Sequence, residues 1–169
     1  MTEKAFEFDL VLALPEGADE GAILDALYEA GCDDAVVGLG ASGLIGLGFT
    51  RAGEDPEAVI SETVKQVLKG LPQGTRLREV KPDLVSLADV AARLKVTRQA
   101  LQKRRMPPPS LGGLYRASEM PPYLDAVPGK LKDGFRAAEA WFAAAPGAQR
   151  VNSRIGLDDF EPANLSYLR

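Results

Sequence analysis

The stretch Ser86-Leu87-Ala88-Asp89-Val90-Ala91-Ala92-Arg93-Leu94-Lys95-Val96-Thr97-Arg98-Gln99-Ala100-Leu101-Gln102-Lys103-Arg104-Arg105 is the most informative part of this chain. Ser86 is a good N-cap, and Asp89 three residues later can close a capping box. Leu87, Val90, Ala91 and Leu94 form one apolar stripe, with the small Ala91 where a second helix would cross closely. Lys95-Val96 makes the break and Thr97 caps the next helix. On that helix Ala100 and Leu101 are expected to face inward, and Arg98, Gln99, Gln102 and Lys103 outward. The spacing therefore predicts two short helices, a tight turn, and a polar basic face on the second helix.

That pattern is a helix-turn-helix. Its outward residues fit the edge of a duplex: Arg donates twice to guanine and Gln pairs with adenine. Lys103, Arg104 and Arg105 suit phosphate, which sets affinity rather than sequence choice. Met106-Pro107-Pro108-Pro109 ends the second helix. In Leu111-Gly112-Gly113-Leu114-Tyr115 a Gly-Gly pair between apolar residues predicts a small hairpin, with Arg116 beside it. Ser118-Glu119 starts another short helical stretch.

Residues 84–124 resemble the winged helix-turn-helix of MerR-like and excisionase-like regulators. The matching segments are Leu87 to Leu94, Thr97 to Arg105, and Leu111 to Arg116. The phrase Val96-Thr97-Arg98-Gln99-Ala100-Leu101 is similar to the start of their recognition helix. The chain departs from the pattern at Lys95, where glycine is common, and at Arg104, where an apolar residue often closes the core. The resemblance implies major-groove reading by the helix Thr97–Arg105 and a wing against the backbone or minor groove. The expected DNA-binding residues are Thr97, Arg98, Gln99, Gln102, Lys103, Arg104, Arg105 and Arg116.

Charge supports a division of labour. Residues 1–83 carry 7 basic and 16 acidic side chains, residues 84–105 carry 6 basic and 1 acidic, and residues 106–169 carry 7 of each. A basic block between an acidic half and a neutral tail points to separate jobs.

The first 82 residues read as one α/β unit. Phe6, Phe8, Leu10, Leu12 and Leu14 alternate with Glu7, Asp9, Val11 and Ala13 as a half-buried strand. Asp19 to Ala30 has helical spacing and stops at Gly31. Ala35-Val36-Val37 and Leu44 to Phe49 read as two strands, Asp55-Pro56 opens a second helix, and Thr75 to Val80 makes a fourth strand. The order βαββαβ predicts a ferredoxin-like arrangement that folds alone and serves dimerisation or ligand sensing. Gly38-Leu39-Gly40-Ala41-Ser42-Gly43 matches a dinucleotide-binding fingerprint, but that motif works only where a helix begins at the glycines. Leu44-Ile45-Gly46-Leu47-Gly48-Phe49 is a strand pattern, so a hairpin turn accounts for the glycines and no cofactor is expected.

Composition removes most enzyme chemistry. The 169 residues include one cysteine and no histidine. Those counts exclude an intramolecular disulfide, a His-based triad and the usual zinc sites. Cys32 lies beside Asp33 and Asp34, which raise a thiol pKa, so a structural role is expected. No catalytic or metal-binding residues emerge. The start, Met1 to Ala5, lacks the features of a signal peptide and no apolar run is long enough to cross a bilayer, so a cytoplasmic protein is expected.

From Lys130 to Ala145 one helix is predicted, with Leu131, Phe135, Ala138, Trp141 and Phe142 along one side and Pro146-Gly147 as its stop. It either packs on its own winged domain or offers a dimer or partner contact. Residues 148–169 lack clear periodicity, but Leu157, Phe160, Leu165, Tyr167 and Leu168 fit a docking tail. The predicted class is α+β: a ferredoxin-like domain (1–82), a winged helix-turn-helix (83–128), and a helix with tail (129–169). The leading function is sequence-specific double-stranded DNA binding by a homodimeric transcriptional regulator. The alternative is an interaction module, such as an antitoxin or adaptor, that engages a protein through the N-terminal domain or tail while its helix-turn-helix contacts DNA weakly.

Overall fold

The computed structural model describes residues 2–126 and 128–157. The chain is mixed α+β. Its N-terminal part runs β1 (Lys4–Ala13), α1 (Glu20–Glu29), β2 (Val36–Gly38), β3 (Leu44–Gly53), α2 (Pro56–Gly70) and β4 (Arg76–Lys81). The strands form an antiparallel sheet in the order β2-β3-β1-β4. Register follows the alternation of side chains: Phe8 lies opposite Phe49, Leu10 opposite Leu47, and Leu12 opposite Ile45. All six are buried on the face that the helices cover. A side chain of this size contributes about 1.5–3 kcal/mol when taken fully out of water. Asp19 caps α1 by accepting from the Gly21 amide, and Asp55 caps α2 by accepting from the Ala58 amide at 2.9 Å. The glycine-rich segment joins β2 to β3 as a hairpin, with Gly43 at φ +78°.

The second part contains β5 (Leu84–Val85), α3 (Leu87–Leu94), α4 (Arg98–Gln102), β6 (Tyr115–Arg116), α5 (Pro121–Asp125), α6 (Lys130–Ala137) and α7 (Glu139–Gly156). Here the structure corrects several expectations. The Gly-Gly pair does not turn a hairpin. Leu111–Gly113 form a single 3-10 turn closed by the Leu114 amide on the Leu111 carbonyl, and β6 pairs antiparallel with β5, from before α3. The basic helix is five residues long instead of nine: Thr97 is its cap, and Lys103 to Arg105 lie beyond its end. Ala100 is exposed, so Leu101 alone anchors this helix in the core.

The largest correction concerns the C-terminal region. The predicted helix breaks at Ala138 (φ −104°, ψ 14°), and Pro146-Gly147 does not stop it. Pro146 stands exposed inside α7. Gly147 is buried, and a Cβ there would lie 2.6 Å from backbone atoms of Pro56 and Glu57. The Pro-Gly pair thus marks a close crossing over the start of α2, a long-range demand that overrides the local stop signal.

Helix α7 belongs to both halves of the molecule. Ala144, Ala148 and Val151 complete the core over the sheet, whereas Trp141, Phe142 and Ala145 join the core around α3 and α4. Part of the core over the sheet is thus supplied by residues that follow the two-helix segment. Leu131, Phe135, Ala138, Trp141 and Phe142 pack inward within the chain, against α3 and α4. Leu157 is 77% exposed, and the remaining tail positions, Phe160, Leu165, Tyr167 and Leu168, fall outside the described residues.

Asp83 ties these parts together. Its carboxylate accepts from Arg116 at 2.6 Å and from the Asn152 amide at 2.9 Å, and its carbonyl accepts from the Ala117 amide. Asn152 also pairs with both backbone groups of Val80 at 2.8 Å, on the outer edge of β4. An edge strand leaves such groups unpaired, so this side chain serves as a substitute neighbour strand.

Candidate nucleic-acid interface

Helix α3 starts with a complete capping box. Ser86 Oγ accepts from the Asp89 amide, and the Asp89 carboxylate accepts from the Ser86 amide, both at 3.0 Å. Its end is equally defined. Lys95 adopts the left-handed conformation (φ 57°, ψ 41°), with its amide on the Ala92 carbonyl and the Val96 amide on the Ala91 carbonyl. That pair of bonds is a Schellman motif, in which glycine is the usual left-handed residue. Val96 packs against the core beside it, and Thr97 then caps α4 by accepting from the Ala100 amide at 3.2 Å. The turn reverses the chain within three residues and sets α4 against α3.

The fully buried Leu101 fixes the rotation of α4. Thr97, Arg98, Gln99, Ala100, Gln102, Lys103, Arg104 and Arg105 are all exposed. The structure therefore gathers seven of the eight predicted residues on one connected surface. Arg116 is not among them: its guanidinium is held by Asp83 and only 23% of its side chain is exposed. It positions β6 within the fold.

The cations of this surface follow one another closely along the chain, and the ion pairs of the fold lie elsewhere. Arg51, Arg93, Arg116, Arg150 and Arg154 each have a carboxylate within ion-pair distance. Arg98, Lys103, Arg104 and Arg105 have none among the described residues. Arg105 instead lies 5.9 Å from the centroid of the Tyr123 ring, a position that sequence reading did not single out. The two side chains border a shallow notch with Pro122 and Ala126. Four unneutralised cations around exposed amides and a methyl group can bind an anionic polymer and touch base edges.

Around Cys32 the polar groups are occupied with structure. Arg51 grips both carboxylate oxygens of Asp34 through Nη2 and Nε at 2.9 and 3.1 Å, donates through Nη1 to Gln66 at 2.6 Å, and lies 4.5 Å from the Phe49 ring centroid. Its hydrogen bonds hold the Asp34 carboxyl below the usual range. Burial pushes the Cys32 thiol up; Arg51 opposes this, and the neighbouring acids add the smaller contributions rather than the main one. Cys32 is a packed core residue. Among the described residues no group of three or more Cys, Asp or Glu side chains is placed to hold a metal ion, and no helix is long and apolar enough to cross a membrane. No known protein family, curated protein or solved structure matches this chain.

Proposed function

We propose that this protein binds double-stranded DNA with sequence preference and acts as a transcriptional regulator, through a winged helix-turn-helix of the MerR-like and excisionase-like kind. The observation that carries this reading is the run of exposed, unpaired cations Arg98, Lys103, Arg104 and Arg105 on and just after a capped helix that follows a tight turn from α3. Arg98, Gln99 and Gln102 are the base-reading side chains, and the exposed Ala100 methyl suits a thymine methyl. Thr97, Lys103, Arg104 and Arg105 contact phosphate. The exposed loop of Pro108 to Gly113 takes the place of the wing and offers backbone amides, while Arg116 supports it from within.

The N-terminal part is read as a ferredoxin-like unit, which the strand order β2-β3-β1-β4 supports. Its acidic surplus keeps that half away from phosphate. A five-residue reading helix makes few base contacts, so the functional species is proposed to be a homodimer on half-sites about one DNA turn apart.

The test is selection of bound duplexes from a random pool by the full chain, followed by affinity measurements across a salt series. A recovered consensus, with affinity falling steeply as salt rises, supports the reading. Retention of DNA with no consensus, or no retention at low salt, overturns it.

A further inference from the structure

A cleft of 670 Å³ lies between the edge of the sheet and α3, bounded by Asp9, Lys81, Leu84, Arg93, Lys95 and Trp141. This volume falls within the range of small-molecule sites. Its charges are distributed unusually. Arg93 is neutralised by Glu7 and lies over the Trp141 ring at 4.9 Å. Asp9 and Lys81 are cross-strand partners, yet among the described residues neither takes part in an ion pair, and Lys95 has no such partner either. Asp83 also lines the cleft but is paired with Arg116, so the cleft offers two carboxylates outside any ion pair, Asp9 and the capping Asp89, and two such ammonium groups, Lys81 and Lys95, beside an indole wall.

Asp9 has room on its sheet face. Gly48 is its cross-strand partner on β3, and a Cβ there would stand 2.8 Å from Asp9 Oδ1, so glycine lets the carboxylate keep this position without a shift. We propose that this cleft binds a small zwitterion of the amino-acid type: its ammonium on Asp9, its carboxylate toward Lys81 and Lys95, and its apolar body against Trp141. Burial holds the Asp9 carboxyl above its ordinary range, a cost that an incoming ammonium offsets. A ligand so placed spans the sheet and the two-helix unit, because Asp9 and Lys81 belong to the first and Lys95 to the turn before α4. Occupancy is then linked to the position of α4; that consequence rests on the DNA-binding reading, whereas the site itself does not.

Trp141 is the only tryptophan in the chain, so its emission reports on the cleft. The full-length protein, without DNA, is titrated with 4-aminobutyrate and L-leucine as zwitterions, and with butylamine and butyrate as single-charge controls. The expected result is a saturable change with at least one zwitterion, about tenfold weaker affinity for both controls, and about tenfold loss in Asp9→Asn. Lys81→Gln provides a second variant with the same expected loss, should Asp9→Asn not fold. No saturable response to either zwitterion up to about 10 mM overturns the proposal. So does equal binding of butylamine, or an unchanged response in the folded variants. Because DNA is absent, failure here leaves the test of DNA binding standing by itself.

Discussion

Replacing Gly134 by alanine pits a local preference against a tertiary contact. Within a helix, alanine is favoured over glycine by about 1 kcal/mol. In α6, however, a Cβ at position 134 would stand 2.4 Å from the Leu94 carbonyl oxygen and 3.3 Å from its carbon. Both are backbone atoms at the end of α3, where the Schellman turn leaves little freedom to yield. Overpacking of this kind costs about 1–3 kcal/mol, and a rigid backbone neighbour points to the upper end. The net expectation is destabilisation of about 2 kcal/mol, or a Tm lower by roughly 4–8 °C in a chain of this size. Gly156→Ala is the internal control: it also lies in a helix, but a Cβ there meets nothing within 4 Å. It should raise stability by about 0.4–1 kcal/mol. Thermal melts of both variants decide the matter. If Gly134→Ala is as stabilising as Gly156→Ala, α6 does not press against the end of α3 as described.

Further outcomes follow from the same geometry. Lys95→Gly relieves a left-handed residue and should stabilise by about 0.5–1 kcal/mol in denaturant melts, since the left-handed conformation costs a side-chain-bearing residue about 1–2 kcal/mol and glycine returns part of that as chain entropy. Leu101→Ala removes the buried anchor of α4 and should cost about 2–5 kcal/mol by the same melts, with loss of DNA binding of every kind. Asp9 has a carboxyl raised on folding, so the stability linked to it is present below the unfolded pKa and lost as pH rises through the folded one. Asp9→Asn should therefore be more stable than the parent at neutral pH, with the gain vanishing in acid; a gain that is constant with pH refutes the assignment.

What was legible in the sequence was legible for local reasons. Strand alternation in Phe6 to Leu12, the helix opening at Asp55 and the caps at Ser86 and Thr97 each need only a few neighbouring residues, and each stands where local chemistry places it. Apart from the length of α4 and the turn at Gly112-Gly113, the misreadings involve distant partners. Pro146-Gly147 reads as a stop until the backbone of Pro56 arrives beside Gly147. The strand at Tyr115 pairs with a two-residue partner across α3 and α4, which no periodicity reveals. Arg116 looked available to DNA because nothing near it in sequence announces Asp83, 33 positions away. The cationic surface was legible as composition; its freedom from acids was not, since that depends on where every carboxylate in the fold ends up.

The central claim is that α4 reads bases while the cations at its end hold phosphate, and one comparison tests it most directly. Affinities of Arg98→Ala and Lys103→Ala are measured on the selected duplex and on random duplex across a salt series. Arg98→Ala should lose about 1–3 kcal/mol on the selected duplex and far less on random DNA, relaxing sequence preference. Lys103→Ala should weaken both duplexes alike and reduce the salt slope by about one. If the two variants lose equally on both duplexes, the basic surface is an electrostatic patch and α4 reads no sequence.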